Sequence, residues 1–368
     1  MKSGITGVAA SSFEVPLWVH LLSGFVHRHP KFWRWLARRE TAAIERQLDQ
    51  TSLDMPIYIS GLARSGSTLL HEVVVSHPAV ATHRVKDYPL VFTPYWWRRA
   101  TANIAPSAPR ERVHRDGVVV TSASPDALEE MLWMAFFPGC HNPEQSNLLT
   151  GSDTSAEFDT FYKAHLRKLL LAEGKMRYAA KANYHVARLA YLVRLFPEAK
   201  FLIPVREPAA HIASLMRQHE WFSEGERACP RALAYMRRSG HFEFGLDRRP
   251  LNLGDHDRVR RIREAWAAGD EVRGLAMYWD MVHAYLARLL ESDDQVRSAS
   301  LVVRFEEVCQ APLETFARVF DHCRLPDAEA ICQRWAVTVR KPASPMLSDD
   351  ELAAIRQETE VTGRLWGY

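Results

Sequence analysis

The apolar positions of this chain switch between two periods, and the order of the switches predicts its architecture. Within residues 15–50, Trp33, Leu36, Ala37, Ile44 and Leu48 recur at spacings compatible with 3.6 residues per turn, with charges on much of the other face, which predicts helix. Pro56–Ser60 is a short β-rich run closed by Gly61, the pattern of a buried strand; a helix from about Ser67 to Ser76 follows and stops before Pro78. Ser124-Pro125-Asp126 offers a cap, a proline for the first turn and an acid near the positive helix end, so it predicts a helix through ALEEMLWMAFF. The same reading predicts a helix over 156–173, a strand at Arg177–Lys181 and an amphipathic helix at YHVARLAYLVRLF. It continues with a strand at Lys200–Val205, a helix opened by Pro208, a strand at Ser300–Phe305 and a helix at about 312–322.

Strands alternating with crossover helices imply an α/β domain of three layers around a central parallel sheet. Pro204 sits inside one predicted strand, which a central strand disfavours; it falls near the carboxyl end, where the chain is about to leave the sheet. Residues 1–54 read as an N-terminal helical segment packed on the core, and 55–368 as one domain. Within it, 221–270 is rich in arginine and poor in strand signals, a helical insertion or lid.

Composition narrows the function classes only a little. Of 368 residues, 47% are hydrophobic and 25% charged, which is ordinary for a globular chain with a substantial core. The net charge of +3 fits anionic small ligands better than a nucleic-acid surface. Five scattered cysteines without CxxC spacing argue against a zinc site or disulfide framework and make a reducing cytoplasm the expectation. The apolar stretch VPLWVHLLSGFV contains His20 and falls short of the roughly 20 residues a bilayer span needs. Lys2 followed by SGITGVAASSF imitates a signal peptide weakly, but Glu14 interrupts it, so no secretory leader or integral membrane span is expected.

The chemistry concentrates in two places. In GLARSGSTLLHEVV, Gly61, four residues, Gly66 and then Ser67-Thr68 stand between a strand and a helix. Such a loop aims backbone N–H groups and the helix dipole at one oxyanion. The lysine that nucleotide triphosphatases place after the second glycine is missing, Ser67 stands there, and no carboxylate suited to Mg²⁺ closes a downstream strand. Arg64, inside the loop, is the cation that remains. A phosphate beside an arginine, without a metal, is the functional reading; a glycine turn in an unrelated α/β protein is the other. In FLIPVREPAAHIASLMRQ, Arg206 leaves a strand, Pro208 opens a helix, and Ser214 lies eight residues after Arg206. A guanidinium fork and a hydroxyl suit a second phosphate, although Arg206 could equally be a structural ion-pair partner.

The first of these segments resembles the 5′-phosphosulfate loop of sulfotransferases that use 3′-phosphoadenosine 5′-phosphosulfate (PAPS). The family pattern is Pro-Lys/Arg-Ser-Gly-Thr-Thr; Ala63 replaces the proline and Ser67 the first threonine. The resemblance implies that Ser65, Gly66, Ser67 and Thr68 hold the 5′-phosphate, with Arg64 at the bridging oxygen. The second segment is similar to the family's 3′-phosphate motif, which implies that role for Arg206 and Ser214. Together they imply a nucleotide with separate 5′ and 3′ phosphates, used without a metal and leaving adenosine 3′,5′-bisphosphate. PDALEEMLWMAF, LVVRFEEVCQAPLETFARVFDHCRLP and RKPASPMLSDDELAAI extend the resemblance to the bacterial-type branch, itself similar to tyrosylprotein sulfotransferases, over residues 55–368. It implies a P-loop-type fold.

On the acceptor side, that branch carries a glutamate a little over twenty residues after the loop's basic residue. Asp87 fills the place, one methylene shorter, as general base; His83 is the rival base. Asp87 could instead cap the turn before Pro89, and His83 could be a surface histidine. Lys181 matches a lysine near the transferring group, and Arg340 and Lys341 match a basic loop that closes over the cofactor. The alternatives for these are solvated charges. His71 reads as packing, and Phe92–Trp97 either lines an apolar acceptor pocket or belongs to the core. The implied reaction is sulfuryl transfer to a hydroxyl of a small or lipid-like acceptor in the cytoplasm. A P-loop kinase using ATP and Mg²⁺, or a nucleotide-binding protein without catalysis, are the alternatives.

Overall fold

The computed structural model describes residues 12–341 and 346–368. The segment that imitates a signal peptide therefore lies almost wholly outside the described residues. The strands in chain order are β1 (Ile57–Ile59), β2 (Val80–Ala81), β3 (Arg110–Glu111), β4 (Val119–Val120), β5 (Arg177–Lys181), β6 (Lys200–Val205) and β7 (Ser300–Arg304). Five of them form one sheet in the order β2-β5-β1-β6-β7, every pairing parallel, while β3 and β4 make a separate antiparallel hairpin. The expected α/β fold with a central parallel sheet is the one observed.

Period-2 alternation sends the sheet's side chains into two different cores. Tyr58, Tyr178, Phe201 and Ile203 enter the larger one. Ile57, Ile59, Ala179 and Leu202 enter the other, against Leu70, Val73 and Val74 of helix Ser67–Val75 and Phe316 and Phe320 of helix Pro312–His322. A sheet buried on both faces needs helices on both, which accounts for the three layers. Pairing in register puts Lys181 and Leu202 level with Ile59, so the carboxyl ends of β5, β1 and β6 open onto one edge. Pro204 faces Val303 of β7, but the pairing of β6 with β1 ends at Leu202. Its missing N–H therefore costs no ladder bond on the β1 side.

The N-terminal segment folds as helices Leu17–Arg28, Pro30–Ala43 and Glu45–Asp49, interrupted at His29-Pro30 where proline opens the second helix. Its anchor is polar. Glu40 is fully buried, pairs with Lys168 Nζ at 3.0 Å and accepts from the Trp96 N–H at 2.6 Å. Lys168, on helix Ala156–Glu173, also donates to the Ala37 carbonyl at 2.7 Å.

Three predicted elements differ. No helix starts at Asp126; the helix runs Glu130–Phe136. The carbonyls of Ser122 and Ser124 accept from Lys86 and Val85, and the Asp126 N–H donates to His83 (2.9, 3.0 and 2.9 Å), so this backbone is already paired. The amphipathic stretch after Ala182 opens as a 3-10 turn, Asn183–Arg188, before helix Leu189–Leu195. There His185 Nε2 meets Glu129 at 2.6 Å and the Arg188 guanidinium grips Glu130 at 2.7 and 2.9 Å. Finally, 221–270 is not helical throughout. Between helices Pro230–Ser239 and His256–Ala267, residues 240–255 are irregular, with Phe242, Phe244, Leu251 and Leu253 in the main core. No helix of the described residues is long and apolar enough to cross a membrane.

Lys168→Met should lower stability by about 3–5 kcal/mol, because it strands a buried carboxylate. Adding Glu40→Leu should recover much of that loss, and thermal or urea unfolding of both variants measures it.

Candidate functional site

The loop after β1 is shaped by contacts that leave no room for a side chain at two glycines. A Cβ on Gly61 would come within 2.7 Å of the Pro204 carbonyl oxygen, and one on Gly66 within 2.7 Å of the Phe305 ring. Gly66 also needs φ of +100°, where the loop turns into helix Ser67–Val75, a conformation glycine adopts freely. Arg64 is itself held at φ of +71°, which costs a non-glycine residue of order 1 kcal/mol or more. The early N–H groups of the helix have no intrahelical acceptor and face the loop's concavity. Ser65 and Ser67 are buried there, and the Ser65 hydroxyl has no partner among the described residues.

The two motifs separated in sequence meet here. Arg206 Nη1 donates to the Arg64 carbonyl at 3.2 Å, across 142 residues. Arg64 Nε donates to the Ser214 hydroxyl at 3.3 Å, and His211 meets the Ala63 carbonyl at 2.8 Å. The Arg206 guanidinium lies 4.8 Å from the Phe305 ring centroid, and its buried Nε has no partner among the described residues. Arg206 is held on the face of an aromatic ring, with one donor still to satisfy. Arg340 and Lys341 are exposed.

Hairpin β3–β4 supplies residues that no sequence pattern announced. Arg64 Nη1 binds Asp116 at 2.8 Å, and Arg112 Nε binds the same carboxylate at 2.8 Å. Burial would raise the Asp116 pKa, but the hydrogen bonds and charges of Arg112 and Arg64 hold it well below the usual carboxylate range. Arg112 also reaches the Thr68 hydroxyl at 3.5 Å. His114 lies half-buried near these charges and is kept neutral, by desolvation first and then by Arg112, Arg64 and Lys181.

Lys181 ends β5 on the same sheet edge. Burial and the charges of Arg112 and Arg64 bring its pKa down to about 8, against opposing pulls from Glu243 and Asp126. Glu243 and His241 come from the irregular segment 240–255. Glu243 accepts from Asn183 Nδ2 at 2.7 Å and pairs with His241 Nδ1 at 3.5 Å. Burial works to raise the Glu243 pKa, but His241, Asn183 and Lys181 bring it down to about 2. Burial likewise opposes the charged form of His241, yet Glu243 outweighs it and raises the imidazole's pKa. Beside them a cavity of about 20 Å³, room for one water, is lined by Leu62, Ala63, Asn183, Glu243, Arg248 and Trp266.

Asp87 and His83, the expected bases, have other partners. Asp87 is fully buried: Oδ2 accepts from the Arg84 N–H at 2.8 Å and from Arg98 Nη2 at 2.5 Å, and Oδ1 from Arg98 Nε at 3.2 Å. Burial alone would raise its pKa, but the neighbouring His83 imidazole and the hydrogen-bonded Arg98 guanidinium hold it far below the carboxylate range. His83 is no surface histidine. It is buried, with Nε2 at 3.1 Å from His165 Nε2 and Nδ1 at 3.6 Å from Asp87. In this conformation both groups are buried away from solvent. The turn-capping alternative for Asp87 is what its bond to the Arg84 N–H provides.

His71 packs inward, bonded to Thr82 at 3.0 Å. Part of the aromatic stretch packs as well: Phe92 is buried 6.3 Å from Phe161 and Trp97 donates to the Lys86 carbonyl at 2.7 Å, whereas Trp96 is exposed. Among the described residues one group has metal-ligand geometry, Glu130, Cys140 and His141, with ligand atoms within 4.8 Å. The Arg188 guanidinium already occupies both Glu130 oxygens, so the group is an ion-pair cluster.

Known proteins bear on this geometry in two ways. The most similar solved structures include the sulfotransferase STF1 from Mycobacterium tuberculosis, with 14% identity, 96% of this chain and 90% of that chain covered, and a TM-score of 0.51. STF9 from Mycobacterium avium aligns at 13% identity over 88% and 80%, with a TM-score of 0.49. A sulfotransferase domain from the curacin biosynthetic pathway aligns at 12% over 84% and 99%, with a TM-score of 0.37. At such identities the first likeness speaks for the fold alone. No curated protein matches the chain. A sequence profile described as the sulfotransferase family, however, matches residues 56–241, from the start of β1 to His241. With half of its length matched, including the loop, Lys181, Arg206 and Ser214, the chain belongs to the sulfotransferase family.

Proposed function

We propose that this sulfotransferase uses PAPS as donor and transfers its sulfuryl group to a hydroxyl of a small or lipid-like acceptor. The observation that carries the donor assignment is the bonding of Arg206 and Ser214 to Arg64, which supports two anion subsites sharing one wall. The residues fit such a ligand. The Ser65 hydroxyl and Arg206 Nε are buried without partners among the described residues. PAPS, when bound, supplies an activated sulfuryl group and a phosphate leaving group. Ser65, Gly66, Ser67 and Thr68 would hold its 5′-phosphate, and Arg206 and Ser214 its 3′-phosphate, with Arg340 and Lys341 flanking the latter. Arg64, already presented by Asp116, and Lys181 would stabilise charge as it builds on the leaving oxygen.

The acceptor proton needs a base beside Lys181. His241 fits that task better than Asp87 or His83, because Glu243 orients it and raises its basicity, while it keeps solvent access. In the reaction the acceptor oxygen forms its bond to sulfur, the sulfur–bridging-oxygen bond breaks, and the proton passes to His241. The cytoplasm remains the proposed location.

Thermal-shift titration separates the donor from ATP. Adenosine 3′,5′-bisphosphate should stabilise the protein; stabilisation by ATP–Mg²⁺ alone would overturn the proposal. Arg206→Ala should weaken the bisphosphate about 10- to 100-fold, the worth of a charge-assisted hydrogen bond, and adenosine 5′-phosphate far less.

The sign of the pH effect follows from Lys181. It is cationic below about 8 and loses its charge above, so bisphosphate affinity should fall as pH rises through that value. Lys181→Met should flatten the dependence in an isothermal titration.

For the base, His241→Ala should lower the sulfate-transfer rate by ~10²–10⁴, and the wild-type rate should rise with pH as the imidazole loses its proton. Asp87→Asn should instead cost about 3 kcal/mol of stability by stranding buried Arg98, with the rate of the folded fraction retained. A collapsed rate in a stable Asp87→Asn protein would return the role to Asp87.

A further inference from the structure

One feature of the molecule is left unused by sulfuryl transfer. Helices Leu17–Arg28 and Pro30–Ala43 bury one face each, through Val26, Trp33, Ala37 and Glu40. The opposite face carries large apolar side chains in the open. Leu17, Trp18, Leu21, Phe25, Phe32 and Trp35 are 59, 64, 59, 42, 43 and 44% exposed. They are contiguous rather than scattered. Leu17, Leu21 and Phe25 stack at i, i+4 and i+8, and the row crosses to the second helix with Phe25 and Phe32 ring centroids 6.1 Å apart and Phe32 and Trp35 5.8 Å apart. Single exposed apolar residues need no explanation, but a continuous aromatic patch does.

The charge around the patch identifies its partner. From Val15 to Arg39 the sequence contains no aspartate or glutamate, but it has Arg28, Lys31, Arg34, Arg38 and Arg39. Arg34 and Arg38 are spent on Glu157. Arg28, Lys31 and Arg39 are exposed at the rim and form no ion pair among the described residues; Arg39 lies 5.4 Å from the Trp35 ring. At 12 and 14 residues the helices are too short to cross a bilayer. Tryptophan and phenylalanine beside basic side chains, on a pair of short amphipathic helices, match the interfacial region of an anionic lipid surface. We propose that this face docks the protein peripherally onto an anionic membrane, with the aromatic row in the headgroup–acyl boundary and Arg28, Lys31 and Arg39 on the lipid phosphates. A second copy of the chain would have to bring its own Arg28, Lys31 and Arg39 to the same contact, which disfavours it as the occupant.

The inference rests on the surface alone and does not depend on the donor, so its test omits nucleotide. The full chain is sedimented with vesicles of phosphatidylcholine, with and without about one third phosphatidylglycerol. Binding should be strong to the anionic vesicles and weaker to the neutral ones. The triple variant Trp18→Ser, Phe25→Ser, Trp35→Ser should reduce binding by more than about tenfold. Arg28→Glu with Lys31→Glu should remove the preference for anionic lipid. Thermal unfolding, unchanged in these surface variants, reports that they fold. Wild-type protein left in the supernatant with both vesicles, or a triple variant that binds undiminished, would overturn the proposal. So would a dimer in light scattering that the triple variant abolishes, because the second copy would then own the face.

Discussion

Everything at the candidate site depends on how closely the sheet's own strand ends press on the loop after β1. At Gly61 the obstacle is the carbonyl of Pro204 near the end of β6; at Gly66 it is the ring of Phe305 just beyond β7. With no Cβ to hold them off, both strand ends come into contact with the loop, and hydrogen bonds then fix what contact alone would leave loose. Arg206 binds the Arg64 carbonyl and His211 meets that of Ala63, so two loop carbonyls turn toward helix Pro208–Ala228. The Ser65 N–H closes the loop on the Leu62 carbonyl, and the first N–H groups of helix Ser67–Val75 have no intrahelical acceptor. The left-handed conformations of Arg64 and Gly66 belong to this geometry.

Packing alone would gather cations that repel one another. Arg64, Arg112, Arg206 and Lys181 converge in a partly buried region, and their mutual repulsion appears in the lowered pKa values of Arg64, Arg206 and Lys181, to which burial adds most. Asp116 makes the arrangement tolerable by accepting from Arg64 and Arg112 at once. One carboxylate against two guanidinium groups leaves a net positive site whose donors are already oriented. Such a site gives up less side-chain entropy when an anion arrives than one built from free lysines. Glu306 has a similar part on the far side, accepting from the Glu207 N–H at 3.0 Å and from the Tyr368 hydroxyl at 2.7 Å, which ties the C-terminus to the opening of helix Pro208–Ala228.

What could be read from the sequence followed from local rules, and what could not depended on distant ones. β1, β5, β6 and β7 and helices such as Ala156–Glu173 and Pro312–His322 are written in apolar periodicity, glycine and proline, so they were legible within a residue or two. The loop and the Arg206–Ser214 pair were legible because their spacing lies within single segments. The non-helical course of 122–126 was not, because its backbone is claimed by residues 83–86, a pairing no local pattern reports. The same applies to the proposed base. Asp87 had a suitable position in the chain, yet Arg98, eleven residues on, closes around it. His241 and Glu243 sit in an irregular stretch some sixty residues beyond Lys181, and only the burial of Phe242 and Phe244 brings them to it. Arg112 and Asp116 lie in a hairpin whose strands have two residues each, too short to show a period.

The exposed aromatic face and the candidate site are mechanically one body, and a single helix explains why. Helix Ala156–Glu173 holds the N-terminal segment at Lys168, through Glu40 and the Ala37 carbonyl. It ends at Gly174 in the left-handed conformation, and three residues later the chain is β5, which carries Lys181 at its far end. Arg84 and Arg98 both bond Glu173 on the last turn of that helix, which couples the Asp87 cluster to the same support. Movement of the N-terminal helices relative to Lys181 would therefore have to break a buried ion pair rather than slide an apolar surface. Buried pairs yield reluctantly once one partner is stranded. A surface that docks through the aromatic face would then stand at a fixed distance and angle from the sheet edge. For an acceptor with a lipid-like tail, that constancy would confine the hydroxyl to a narrow range of positions, the entropic advantage that in-line transfer requires.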